Sequence, residues 1–162
     1  VSSSSSPWQR RFIVHRTISL GEILAGKGKD VHTISPESTV HEAVTALVQQ
    51  RVGSLVVTRG ERVVGIITER DVLCESAQHF AEIDTTPVEK IMTREVICGR
   101  TDYTVNEGLW LMTERHIRHL PILDGERLVG IVSIGDLAKA RLDEVTDENH
   151  HLIRYVTDQY PG

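Results

Sequence analysis

Two stretches of this 162-residue chain set a glycine, a hydroxyl and a carboxylate at the same intervals: Gly65-Ile-Ile-Thr68-Glu-Arg-Asp71 and Gly130-Ile-Val-Ser133-Ile-Gly-Asp136. A hydroxyl three residues ahead of an acid has the spacing of a helix capping box, with Asp where Glu or Gln is usual. An ionised carboxylate is also acceptor-only, with two oxygens and about four lone-pair sites, so it suits a partner offering adjacent donors. Further along, Arg118 and His119 bring one permanent cation and one that charges near neutral pH, donors that suit a phosphate. The positions 65 residues earlier hold Gly53 and Ser54, which supply neither. Lys27-Gly28-Lys29 is a further cationic loop that would cover a phosphate, although no Gly-x-x-x-x-Gly-Lys-Ser/Thr stands there.

Catalytic chemistry finds no motif. There is no Gly-x-Ser-x-Gly and no His-Glu-x-x-His, and neither Cys74 nor Cys98 has a sequence-local base. Asp71 and Asp136 could be paired acids, but their equivalent placement points to equivalent binding roles in separate sites. His116 and His119 lack a nearby cysteine or carboxylate quartet, and the adjacent His150 and His151 point in different directions on a helix, so no metal site is expected. The expectation is a chain with no catalytic residue and no metal.

Composition narrows the partners. With 18 Lys and Arg against 23 Asp and Glu the net charge is -5, and only 4% of residues are aromatic, which disfavours nucleic acid for want of a basic field and of stacking platforms. No apolar run approaches the roughly 18 residues of a membrane helix. Two cysteines without framework spacing imply reduced thiols and a reducing compartment. Val1 to Gly21 contains serines and arginines and no acid, compatible with an organelle transit segment as well as with truncation, so the compartment is expected to be the cytoplasm or, alternatively, the mitochondrial matrix. Val1 to Pro7 is expected to be flexible.

The elements that must hold these side chains follow from a repeat. Sliding the chain by 65 residues aligns 31–75 with 96–140 without gaps, pairing Thr39 with Thr104, Glu42 with Glu107, Gly65 with Gly130 and Asp71 with Asp136. Each copy reads as strand, helix, two strands, helix. Capping boxes Thr39-Val-His-Glu42 and Thr104-Val-Asn-Glu107 open the first helices, and hairpin turns fall at Gly60 and Gly125. Two further boxes, Ser19-Leu-Gly-Glu22 and Thr86-Pro-Val-Glu89, start a short lead-in helix for each copy. The expected organisation is an extension over 1–18, a first repeat over 19–82, a second over 83–142 and a helical tail over 143–162 that begins with the polar run Asp143 to His151. One copy is too small to close a core alone. Two packed sheet to sheet give a pseudo-two-fold α/β unit, each half a small sheet with helices, with two related grooves between them.

This tandem of lead-in, strand, Thr-capped helix, hairpin and Gly-x-x-Thr/Ser-x-x-Asp resembles the CBS-domain pair, or Bateman module, over about Ser19 to Leu142. More narrowly, Met112 to Pro121, Gly130 to Asp136 and the Leu-x-Arg-Tyr at Leu152 resemble the stand-alone two-CBS proteins of bacteria and plant mitochondria. The resemblance implies a non-catalytic regulatory module that binds adenine nucleotides such as AMP, ADP or ATP, with NADH also possible. It implies ribose contacts from Thr68 with Asp71 and from Ser133 with Asp136, and phosphate contacts from Arg118, His119 and Arg70, to which the Lys27 loop adds a fourth. Adenine would lie between apolar strand residues, Ile34 and Val56 being candidates in the first groove. The implied partners are a second copy, in a homodimer through the helical faces, and an unidentified regulated protein. The alternatives are a structural or protein-interaction module whose grooves bind nothing and, more weakly, a single-strand nucleic-acid binder.

Overall fold

A computed structural model describes residues 17–159, apart from the side chains of 148 and 150–159. The expected flexible start at Val1 to Pro7 lies outside the described residues. Helix α1 (Leu20–Lys27) leads in, followed by β1 (Thr33–Ile34), α2 (Val40–Gln50), β2 (Ser54–Arg59), β3 (Arg62–Thr68) and α3 (Glu69–His79). The second copy comprises β4 (Gly99–Arg100), α4 (Val105–Glu114), β5 (His119–Asp124), β6 (Arg127–Ser133) and α5 (Ile134–Gln159). Two three-stranded sheets result, ordered β1-β2-β3 and β4-β5-β6, each with one parallel and one antiparallel pairing. The expected pseudo-two-fold α/β architecture is present.

Local chemistry explains the elements. Thr39 and Thr104 sit in extended backbone, accept the N–H groups of Glu42 and Glu107 on their hydroxyls and donate their own N–H groups to those carboxylates. Each such cap is worth about 0.5–2 kcal/mol. Both hairpins turn at a glycine with φ near +60°, Gly60 at 63° and Gly125 at 62°, where a Cβ would be strained. Alternation then sorts the strands. Leu55, Val57 and Ile67 face Ala43 and Leu47 of α2 in one core, while Leu120, Ile122 and Val132 join Val105, Met112 and Leu137 in the other. The intervening residues, Val56 and Ile66 in one sheet and Pro121 and Ile131 in the other, turn to the opposite faces, where β3 and β6 meet.

The lead-ins do not belong to the copies they precede. Leu20 and Leu24 of α1 are buried in the core of the second copy, and Val88, Ile91 and Met92 pack in the core of the first. Backbone bonds fix the exchange: Leu20 N–H donates to the Tyr103 carbonyl, Val40 N–H to that of Thr86, and Ile66 and Thr93 bond each other both ways. The repeat glycines make room for it. A Cβ on Gly130 would lie 2.5 Å from Leu24 Cδ2, and one on Gly65 2.4 Å from Met92 Sδ.

One other expectation is corrected. The capping box at Thr86 does not form, because the Thr86 hydroxyl donates to the Glu82 carbonyl at 2.8 Å and closes the preceding turn. In place of a lead-in helix the chain makes a single 3-10 turn, Val88–Lys90. The tail from Asp143 is helical and continuous with the helix that begins at Ile134: α5 runs 26 residues without interruption, since no glycine or proline falls between Gly135 and Pro161. Ile18 N–H is tied to α5 through the Glu144 carboxylate at 3.0 Å.

Candidate functional site

Between the two copies lies a cavity of about 420 Å³, within the range of small-molecule sites. Its walls are Lys27, Gly28, Asp30 and His32 ahead of the first sheet, Arg51 to Ser54 between α2 and β2, His119, and Ile131 to Ser133 at the end of β6. The exchange of lead-ins is what brings the end of α1 to β6.

At the floor, Ser133 and Asp136 form the start of α5. The Ser133 N–H donates to Asp136 Oδ2 at 2.7 Å, and the Asp136 N–H to Ser133 Oγ at 3.2 Å. Thr68 and Asp71 repeat the arrangement at α3, with the Thr68 N–H and hydroxyl both donating to Asp71 Oδ2 at 2.8 Å. The capping reading of both motifs is therefore correct. It does not exhaust the carboxylates, because neither Oδ1 accepts a hydrogen bond from the described residues. Each aspartate thus caps a helix with one oxygen and leaves the other without a hydrogen bond from the described residues.

The cation nearest the Asp136 carboxylate is Lys27, the last residue of α1. Its Nζ lies 2.5 Å from Asp136 Oδ2 and donates also to the Ile131 carbonyl at 3.2 Å. Burial alone would raise the Asp136 pKa, but the Lys27 ammonium and the N–H and hydroxyl of Ser133 hold it below the ordinary 3.8. His119 is half-buried on the cavity wall, and its ring packs on Gly53, where a Cβ would come within 3.1 Å of Cε1 and Nε2. Burial lowers its pKa below 6.5, Glu69 and Asp136 opposing and Lys27 and Arg118 reinforcing the shift. The contrast between Gly53-Ser54 and Arg118-His119 is thus also steric: the small residue of one copy admits the ring of the other.

Of the site residues expected from sequence, Lys27, His119 and Ser133 line this cavity, with Asp136 bound to two of them. Thr68, Asp71, Arg70 and Arg118 do not line it; the two arginines are exposed, and the Arg118 carbonyl accepts the Ile134 N–H. Ile34 is half-buried, packed against the first core. Val56 is wholly buried, at 0% exposure, on the central strand of its sheet, and does not line this cavity. Asp30, His32 and Arg51 also line the cavity, beyond the residues expected. Arg51 and its repeat equivalent His116 both adopt the left-handed backbone, φ 54° and 53°, just after the first helix of each copy. Among the described residues no three His, Cys, Asp or Glu side chains are grouped to hold a metal ion.

Comparison with known proteins bears on the fold that carries this cavity. The CBS domain family matches residues 13–77 and 88–143. A mitochondrial CBS domain-containing protein of Arabidopsis thaliana, CBSX3, is 32% identical over 98% of this chain and 82% of its own. An inosine-5'-monophosphate dehydrogenase of Methanocaldococcus jannaschii is 36% identical over 80% of this chain, but over only 27% of the enzyme's length. Among solved structures, a CBS-domain protein of Agrobacterium tumefaciens superposes with a TM-score of 0.74 at 35% identity, covering 76% of this chain and 99% of that one. A CBS domain protein of Pyrobaculum aerophilum complexed with AMP gives 0.70 at 28% identity, covering 80% and 99%. A CBS-domain pair solved with 5'-methylthioadenosine and S-adenosyl-L-methionine gives 0.70 at 27%, covering 79% and 98%.

Proposed function

The chain belongs to the CBS-domain family, and on that premise we propose that it is a non-catalytic regulatory module that binds an adenine nucleotide in the grooves between its two copies and signals by a change of conformation. The observation that carries the reading is the Asp136 carboxylate, which caps α5 with one oxygen and leaves the other unengaged beside a cavity walled by Lys27, His119 and Ser133. Asp136 with Ser133 would receive the ribose hydroxyls there, and Lys27 and His119 would face the phosphate. Thr68 and Asp71 would do the same for the ribose in the related groove, with Arg70 and Arg118 toward the phosphate and Ile34 toward the base. AMP, found with one structural relative, heads the candidates; ADP, ATP, NADH and S-adenosyl compounds come after it.

A second copy is the nearest partner in this reading. Val48 on α2, Leu73 on α3, Trp110 on α4 and Leu142 on α5 are 64–71% exposed, and a homodimer through these helical faces would cover them. The same residues favour the second reading, an interaction module that binds no nucleotide. The regulated protein would be a third component. No helix among the described residues is long and apolar enough to cross a membrane. A reducing compartment fits the free Cys74 and Cys98, either the cytoplasm or the mitochondrial matrix, the latter supported by the Arabidopsis relative.

Thermal unfolding with AMP, ATP, NADH and S-adenosylmethionine tests the reading. A ligand at 100 times its Kd adds about 2.7 kcal/mol of stability. The expected result is a rise with at least one nucleotide, lost in Asp136→Ala or in Asp71→Ala according to the groove. Folded variants and wild type that respond to none of the four would establish the interaction module instead.

A further inference from the structure

The two grooves differ in who holds the carboxylate. Asp71 Oδ2 is bound only by the N–H and hydroxyl of Thr68 among the described residues. Asp136 Oδ2 is bound by a cation as well, Lys27 Nζ at 2.5 Å, and that ammonium is anchored to the Ile131 carbonyl on the same cavity wall. The repeat equivalent of Lys27 is Met92, which is 8% exposed and packed in the first core at Gly65, so the first groove has no counterpart. The feature is built by the exchange of lead-ins, which carries the last residue of α1 across to the other copy.

A diol needs both oxygens of its carboxylate if each hydroxyl is to donate to one. Each Oδ2 already holds two donors, the N–H and hydroxyl of Thr68 at Asp71 and the Ser133 N–H and Lys27 Nζ at Asp136. A hydroxyl rotates about one bond to free its acceptor, whereas full engagement of a ribose at Asp136 displaces an ammonium from its ion pair. Lys27 retains 40% exposure and Gly28 comes next in the chain, so the side chain is free to swing. Where it goes depends on the ligand: a nucleoside offers the displaced ammonium no anion, whereas a nucleotide brings a phosphate with it.

Resting on the nucleotide reading above, we propose that Lys27 is a latch that makes the Asp136 groove selective for phosphorylated ligands, by holding the ribose-binding carboxylate until a ligand phosphate takes its place. The Asp71 groove, without a latch, accepts nucleosides and nucleotides with less distinction. Lys27 is then a specificity-determining residue with two successive partners, one of its own chain and one of the ligand.

Isothermal titration with adenosine and with AMP, on wild type and on Lys27→Met in the presence and absence of Asp71→Ala, tests this. Lys27→Met is expected to tighten adenosine about three- to fivefold and to weaken AMP by a similar factor, the scale of one partly exposed ion pair, so that the AMP-to-adenosine ratio at this groove falls about tenfold. A ratio unchanged by Lys27→Met, with AMP still binding wild type, overturns the latch and leaves the nucleotide reading standing. Absence of AMP binding to wild type overturns both. Carbon-13 NMR of the Asp136 carboxyl supplies a readout independent of ligand: its titration is expected to move upward in Lys27→Met, and an unmoved titration overturns the ion pair on which the latch rests.

Discussion

The imidazole of His119 rests on Gly53 with Glu69, Lys27, Asp136 and Arg118 around it, and burial keeps it neutral to lower pH than a free histidine. The folded ring therefore binds its proton less tightly than the unfolded one, whose value is near 6.5, and the unfolded state carries more protons just below that pH. Stability is full above about 6.5 and falls as the pH drops from there through the lowered folded value. Asp136 acts in the same sense further down, its stabilisation complete above 3.8 and lost as acid protonates it in the folded state. Urea unfolding of His119→Gln should accordingly depend less on pH between about 7 and 5 than that of wild type; parallel profiles would show that another group carries the dependence. The sequence distinguishes Arg118-His119 from Gly53-Ser54 as an asymmetry of charge. That the ring of one copy would pack on the glycine of the other was not legible, because the contact crosses between two repeats whose relative placement no local pattern encodes.

At the scale of elements, the glycine of each Gly-x-x-Thr/Ser-x-x-Asp motif seats a lead-in and does not turn the chain. Gly65 and Gly130 have ordinary φ, and what excludes a larger residue is Met92 or Leu24. Gly130→Ala should cost about 1–3 kcal/mol as overpacking. Gly26, inside α1 with nothing within 4 Å of where a Cβ would stand, provides the contrast: Gly26→Ala should add up to about 1 kcal/mol through helix propensity. Unfolding midpoints of the two variants should move in opposite directions. The helices and hairpins themselves were readable, since capping boxes at Ser19, Thr39 and Thr104 and turns at Gly60 and Gly125 are decided within a few residues. Thr86 misled because its hydroxyl had a competing acceptor four residues back, the Glu82 carbonyl. Of the candidate site, the paired motifs of Thr68 with Asp71 and Ser133 with Asp136 stood out through their repetition, but not Arg51 or His32, which reach the cavity only through the packing of one copy on the other.

For the whole molecule, the exchange means that chain order and core membership divide the protein differently. Residues 31–93 contain every buried residue of the first core, whereas 19–82 lack Val88 and Met92. A fragment spanning 31–93 should keep more helix by circular dichroism and more protected amides than one spanning 19–82, at similar length; equal behaviour would mean that the 3-10 turn contributes little to that core. The exchange also sets a timetable for synthesis. The middle of the chain can close its core once Met92 has left the ribosome, while Leu20 and Leu24, made much earlier, have no seat until β5 and β6 emerge roughly 100 residues later, a wait of about 5–20 s at ordinary elongation rates. Helix α1 is made early and docks late, and the bond from Ile18 to Glu144 fastens it only when α5 has emerged. Through that interval Leu20 and Leu24 of α1 are open to whatever else in the cell binds a nascent apolar segment.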